Sequence, residues 1–271
     1  VSDYCAAGSC VPGEGLQCDD DNDCTTDGCE PASGCTNDSL PDATPCGEEG
    51  WVCFQGECTE AILEGLVAYY DMSSLHGDQL ADLGGNGFHG DFVGDTASTE
   101  GKIGGAWFFS GTGSHVSLPS ATIVQGAAPR SVAWWLKRPA GGPNIWRYTF
   151  SVGAEVNHKT FSGRISPAGH LGFMGHAHDY DPSLGASVFD GQWHFVVYTY
   201  DGSQLTTYVD GPQVNWTHTI GTLNTGSGSA RLARHVGSAQ EPLQGSLDEV
   251  YIYDRVLTAD EIQFLFALGT P

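Results

Sequence analysis

Trp193-His-Phe-Val-Val-Tyr-Thr-Tyr200, Asp201-Gly202 and Leu205-Thr-Thr-Tyr-Val209 form the stretch whose reading decides the fold. Two runs of β-branched and aromatic residues flank an Asp-Gly pair, a strong short-range signal for a β-hairpin. Similar runs recur on both sides: Gly65-Leu-Val-Ala-Tyr-Tyr70, Ala106-Trp-Phe-Phe109, His115-Val-Ser-Leu118, Arg130-Ser-Val-Ala-Trp-Trp-Leu136 and Ser246-Leu-Asp-Glu-Val-Tyr-Ile-Tyr253. Gly, Asp, Asn and Pro divide them, and Gly alone supplies 38 of 271 residues, about twice the usual share of ~7%. At least seven strands and one short helix predict an all-β, antiparallel sandwich or jelly roll over residues 61–271. The helix is marked by a capping box, Thr258-Ala-Asp-Glu261, ahead of Ile262-Gln-Phe-Leu-Phe266.

Upstream the composition changes. Residues 1–60 hold 14 acidic residues, no Lys or Arg, and all nine cysteines of the chain. So few large apolar residues accompany them that cross-links must stabilise the segment, which reads as a small disulfide-rich module. A thiolate zinc cluster is the alternative, weakened by the lack of C-x2-C pairs. Cys53 and Cys58 repeat the spacing of Cys5 and Cys10 at an offset of 48 residues. The odd cysteine is therefore expected to have its partner in an earlier repeat, before Val1; a free thiol is the alternative. Disulfides place the chain outside the cell or on its surface.

The net charge of -23 opposes phosphate backbones, so nucleic acid is excluded as a partner, and no apolar run is long enough for membrane insertion. Asp19, Asp21, Asp23, Asp27 and Glu30 occupy positions 1, 3, 5, 9 and 12 of a twelve-residue loop, the spacing with which an EF-hand gathers calcium ligands. Position 6, which needs Gly, is Cys24, so the expectation is a calcium site without the EF-hand fold, against the alternative of a solvated acidic loop. His176-Ala-His178 is expected to put two rings on one strand face, with His170, Asp179 and Asp181 near, as a metal or sugar-contacting patch. Trp146 and Arg147, in a Gly/Pro-rich segment, are the expected exposed ligand-binding pair; most other tryptophans should be core. Asn37-Asp-Ser39 and Asn215-Trp-Thr217 are glycosylation sequons.

Two resemblances add to this reading. Cys18-Asp-Asp-Asp-Asn-Asp-Cys24-Thr-Thr-Asp-Gly-Cys29 resembles the C-D-D-x-x-x-C-T-x-D-x-C repeats of large secreted bacterial proteins. Gly65-Leu-Val-Ala-Tyr-Tyr-Asp71, Asp82-Leu-Gly-Gly-Asn-Gly-Phe-His-Gly90, Gly101-Lys-Ile-Gly-Gly-Ala-Trp-Phe-Phe109, Gly191-Gln-Trp193 and Gly245-Ser-Leu-Asp-Glu-Val-Tyr-Ile-Tyr253 resemble, in order, a laminin-G-like, concanavalin A-like lectin/glucanase domain. That resemblance implies a structural calcium at Asp248, with Asp71 as a second ligand; backbone hydrogen bonds to Asp248 are the alternative. Glucanases of the superfamily carry E-x-D-x-E or E-x-D-x-x-E, which is missing here. Asp248 and Glu249 are adjacent, so a regular strand would turn them to opposite faces. The expectation is a non-catalytic module that binds a polysaccharide or glycoprotein glycan, the cysteine-rich segment serving as a stiff spacer. Packing against neighbouring subunits of an extracellular assembly is the alternative.

Overall fold

The computed structural model describes residues 4–6, 9–11, 18–30, 34–40, 44, 46–47, 51–54, 56–59, 61–140, 145–181, 187–237 and 241–270. The chain divides into two units, residues 1–64 with 270–271, and residues 65–269. In the first unit three short hairpins follow one another: β1 (Tyr4–Ala6) with β2 (Ser9–Val11), β3 (Thr25–Glu30) with β4 (Gly34–Ser39), and β5 (Val52–Phe54) with β6 (Glu57–Thr59). Disulfides Cys18–Cys35, Cys24–Cys53 and Cys46–Cys58 tie the second and third hairpins and the segments before them together, and Cys29 is also disulfide-bonded. Cys24, Cys46 and Cys53 form a small core with Leu40, Trp51 and Cys58. Their sulfurs are close because they are oxidised in pairs, which removes the zinc alternative for these cysteines. The expectation about the unpaired cysteine turns on the side chains of Cys5 and Cys10, which lie outside the described residues.

The second unit is a sandwich of two antiparallel sheets. Its strands are β7 (Leu66–Tyr70), β8 (Leu75–His76), β9 (Gln79–Leu80), β10 (Asp91–Val93), β11 (Thr96–Glu100), β12 (Gly105–Ser110), β13 (His115–Leu118), β14 (Arg130–Lys137), β15 (Arg147–Gly153), β16 (Thr160–Ile165), β17 (Leu171–Met174), β18 (Trp193–Tyr200), β19 (Gln204–Val209), β20 (Val214–Thr219), β21 (Ser229–Leu232) and β22 (Gln244–Tyr253). Eight make one sheet in the order β11-β12-β22-β14-β18-β19-β20, with β7 also on β22; six make the other, β10-β13-β21-β15-β16-β17. β8 and β9 pair with each other. Each run quoted above from the sequence of this unit lies on a strand. Nine strands, β8 to β11, β15, β16, β17, β20 and β21, were outside that reading, and five of them belong to the six-stranded sheet.

Period-two alternation explains the core. Val132, Trp134 and Leu136 of β14, Val196, Tyr198 and Tyr200 of β18, and Phe150, Val152, Phe161 and Ile165 of the facing sheet share one buried cluster. Trp134 meets Phe150 edge-on at 5.1 Å and Tyr198 at 5.4 Å. Trp135 points the other way yet is equally buried, because helix α1 (Ala259–Leu268) brings Phe266 against it at 5.7 Å. The helix begins at the predicted capping box: Thr258 Oγ1 accepts from the Glu261 N–H and Glu261 accepts from the Thr258 N–H. At the Asp201-Gly202 turn, the Asp201 carboxylate accepts from the N–H groups of Ser203 and Gln204.

Gly163 on β16 is where the two sheets leave no room. A Cβ there would lie 2.6 Å from Phe150 Cε1, in a ring already packed on Trp134 and Phe161. Gly163→Ala is therefore expected to cost about 1–3 kcal/mol through overpacking, read as a lower urea midpoint at unchanged m-value; an unchanged midpoint would show that the ring has space to yield.

Candidate functional site

The six-stranded sheet turns Phe150, Val152, Phe161, Ile165, Leu171 and Phe173 inward. Its other face therefore carries Arg164 from β16, Gly172 and Met174 from β17, and Ser151 and Ser162, which hydrogen-bond to each other at 2.6 Å. Arg164 organises one end of this face. Its Nε and Nη2 donate to the two carboxylate oxygens of Asp181 at 2.9 and 2.6 Å, and its guanidinium lies 4.3 Å from the Trp146 ring centroid. Gly172 makes this possible, since a Cβ would stand 2.9 Å from Asp181 Oδ1 and 3.5 Å from Trp146 Cζ3. Trp146 is half-buried and Asp181 exposed. The result is an aromatic ring held flat by a cation whose charge is met by an exposed carboxylate.

Beside it, Tyr148 packs on His235 at 4.6 Å, and His235 on His176 at 5.5 Å. The Tyr148 hydroxyl donates to Met174 Sδ, and burial pushes it up to about 12. His235 is buried, and burial lowers it to about 4. Val236 N–H donates to Ser151 Oγ, so the segment after β21 lies over the polar face of the sheet.

His176 and His178 do not share a strand face. His176 and Ala177 both have left-handed backbone (φ 48° and 74°), and Asp179 Oδ1 accepts from the N–H groups of Gly175 and His176, closing a turn. The turn sends His176 toward His235 and His178 toward His158, 4.3 Å away. Burial, then the neighbouring His158, lowers His178. His170 sits apart, its N–H bonded to Ser166 Oγ. The expectation of an exposed Arg147 is likewise corrected: Arg147 is buried, with Nη1 on the Pro242 carbonyl. The neighbouring residues 141–144 lie outside the described residues. Sequence reasoning missed Arg164, Tyr148 and His235, because a strand-borne Arg among Ser, Thr and Gly reads as solvent-facing. Tyr180 was also missed; it stacks on His218 at 4.2 Å and packs against Trp216 at 4.5 Å.

The acidic loop gathers differently from an EF-hand. Carboxylate oxygens of Asp19, Asp20 and Asp27 lie within 4.8 Å of one another, all three residues exposed. Asp21, Asp23 and Glu30 are outside that group. Residues 25–30 form strand β3, and Asp23 instead accepts from the Gly47 N–H. Desolvation among these neighbours, then the like charges of Asp20 and Asp19, raise Asp27.

Asp248 and Glu249 sit at a bulge. Leu247 and Val250 both face the core, with two residues between them instead of one, and Glu249 has φ 48°. Both carboxylates therefore leave the interior side, correcting the expectation of opposite faces. Asp248 Oδ2 accepts from Lys102 and Ile103 N–H and Oδ1 from Glu249 N–H; burial pushes the group up to about 7. Glu249 Oε2 accepts from the hydroxyls of Tyr69 and Tyr251 at 2.7 and 2.8 Å. Asp71 binds the N–H and hydroxyl groups of Ser73 and Ser74.

The family model of the concanavalin A-like lectin/glucanases superfamily matches residues 110–263, and the chain belongs to that superfamily. No curated protein sequence matches the chain. Among solved structures it is similar to domain 4 of AbnA, an extracellular arabinanase from Geobacillus stearothermophilus, in complex with arabinotriose: 24% identity, 74% of this chain and 97% of that one, TM-score 0.60. It is also similar to the binding domain of Paraclostridial Mosquitocidal Protein 1 (14% identity, 76% and 52%, TM-score 0.59). A third likeness is to Trypanosoma rangeli sialidase (19% identity, 83% and 35%, TM-score 0.57). The chain thus spans about half of the toxin domain and about a third of the sialidase; these likenesses are of fold.

His235 sets a pH dependence. Its native pKa lies below the unfolded value of about 6.5, so its contribution is complete above that value and is lost as pH falls toward about 4. His194 works in the opposite sense: hydrogen bonds to Asp210 and Asp190 raise it, so its contribution fades as pH rises. Between about pH 7 and about pH 4.5, wild type should lose about 2 kcal/mol more stability than His235→Gln, measured by urea unfolding at each pH. Parallel pH profiles for the two proteins would refute this role.

Proposed function

We propose that the second unit is a non-catalytic extracellular carbohydrate-binding module for neutral glycans. The observation that carries the reading is the Trp146–Arg164–Asp181 arrangement: a half-buried indole to cover the apolar face of a sugar ring, beside an exposed carboxylate able to accept from sugar hydroxyls. Asp181 is neutralised by Arg164 and Asp179 closes a turn, so these two acids are committed to structure instead of acid–base work. Disulfides in the first unit support an oxidising, extracellular setting; among the described residues no helix is long and apolar enough to cross a membrane. Arabinotriose, the ligand of the Geobacillus domain, is a natural first probe within a panel of neutral oligosaccharides and insoluble polysaccharides. Trp146→Ala should weaken whichever glycan binds by about tenfold or more, worth about 1.4 kcal/mol, measured by titration calorimetry. No retention on any glycan, together with a mass that rises with concentration, would instead favour packing within an extracellular assembly.

Calcium belongs to the same proposal. Three exposed carboxylates within reach of one ion, at Asp19, Asp20 and Asp27, repel one another until a hard cation relieves them. Asp248, by contrast, has partners enough in three N–H groups, although Asp71 and Asp248 are the ligands that the family resemblance implies. Thermal unfolding with calcium and with excess chelator separates these. Chelator should lower the melting temperature of wild type. Asp248→Ala, which strands three donors, should cost about 2–4 kcal/mol in either buffer. A cost that disappears in chelator would move the ion to Asp248.

A further inference from the structure

Four of the seven arginines are buried, at 130, 138, 147 and 164. Two have their charge accounted for. Arg164 pairs with Asp181. Arg130 donates to the carbonyls of Val124, Gly126 and Ala128 and to Thr225 Oγ1, with the Phe161 and Tyr200 rings 5.4 and 5.5 Å away.

Arg138 and Arg147 differ. Arg138, directly after β14, is 0% exposed. Its Nε donates to the Gln244 carbonyl at 3.0 Å and its guanidinium lies 3.6 Å from the Phe189 ring centroid. Among the described residues Nη1 and Nη2 are buried with no hydrogen-bond partner, and no ion pair includes Arg138. Arg147, at the start of β15, is 5% exposed; its Nη1 donates to the Pro242 carbonyl at 2.9 Å, while its Nε is buried and has no partner among the described residues. Carbonyls two residues apart on an extended segment point the same way, so Pro242 and Gln244 draw the two guanidiniums to one side of that segment. Burial, then the charge of Arg147, brings Arg138 down to about 10. Glu241 offsets part of the burial effect at Arg147.

A pair of like charges is thus enclosed with as many as five N–H donors unused: two each on Arg138 Nη1 and Nη2 and one on Arg147 Nε. Buried donors and buried cations without partners are costly, and such groups call for a bound water or ion. We propose that a small inorganic anion of the size of chloride binds at the free edge of Arg138, beside Arg147 Nε. An anion accepts several N–H bonds at once and discharges the pair, whereas water satisfies donors and leaves both charges.

The test uses the whole chain and chloride itself. At about 0.2 M salt and equal ionic strength, wild type should melt several degrees higher in chloride than in gluconate, as expected for a ligand of the native state. Arg138→Met should lose that difference. Crystals grown in bromide should show an anomalous peak beside Arg138, which tests the site even where Arg138→Met fails to fold. Equal melting in the two salts with no bromide peak would overturn the proposal and leave the Phe189 stack as the sole cover of the charge. A chloride increment that persists in Arg138→Met would also overturn it, placing the anion elsewhere.

Discussion

The second unit depends on one strand. β22 pairs with β14 along one edge and with β12 and β7 in succession along the other. Three neighbours on one ten-residue strand leave little freedom, and the bulge at Glu249 is what reconciles them. The extra residue lets Leu247 and Val250 both stay in the core while Asp248 reaches the Lys102–Ile103 backbone and Glu249 reaches two tyrosine hydroxyls. Tyr69 and Tyr251 then stack at 4.5 Å with planes 5° apart, joining β7 to β22 by side chains as well as by the ladder. A left-handed non-glycine residue and two buried carboxylates are costly locally. They are retained where five hydrogen bonds to those carboxylates and a ring stack offset the cost.

How much of this was legible follows from the range of each signal. The strands β7, β12, β13, β14, β18, β19 and β22 announce themselves by apolar alternation, and the Asp201 turn and Thr258 cap by residues that bond within three or four positions of themselves. The six-stranded sheet is largely silent, since Thr160-Phe-Ser-Gly-Arg-Ile165 carries Ser and Gly where periodicity looks for bulk. Gly163 is there because Phe150 needs the space, and Gly172 on β17 because Asp181 needs it. Such demands come from residues far along the chain. The same holds for the site. Trp146 was a candidate by its setting, but its partners Arg164 and Asp181 could be joined to it only by the register of β15, β16 and β17. His176 and His178 looked like a pair because strand geometry was assumed; two left-handed residues part them.

The placement of cations bears on what the surface can bind. The chain has ten basic residues against 33 acidic ones, and the fold leaves only Lys137 and Lys159 of the ten exposed. Arg130 fastens the segment before β14 to the core, Arg164 underlies Trp146, and Arg138 and Arg147 lie enclosed beside β22. Four arginines are taken into the interior, but so are Asp82, Asp248, Glu249 and Glu261, and the solvent-facing surface keeps the strongly acidic balance of the composition. Such a surface repels sulfated and uronate-rich polymers as firmly as nucleic acid. It does not repel neutral sugars, whose hydroxyls donate to carboxylates. Under the proposed function, an aromatic ring beside the exposed Asp181, with the Arg164 guanidinium neutralised against it, would discriminate in the same direction. Choice of ligand on this face would accordingly arise first from what the field excludes, and only then from the contacts made at Trp146.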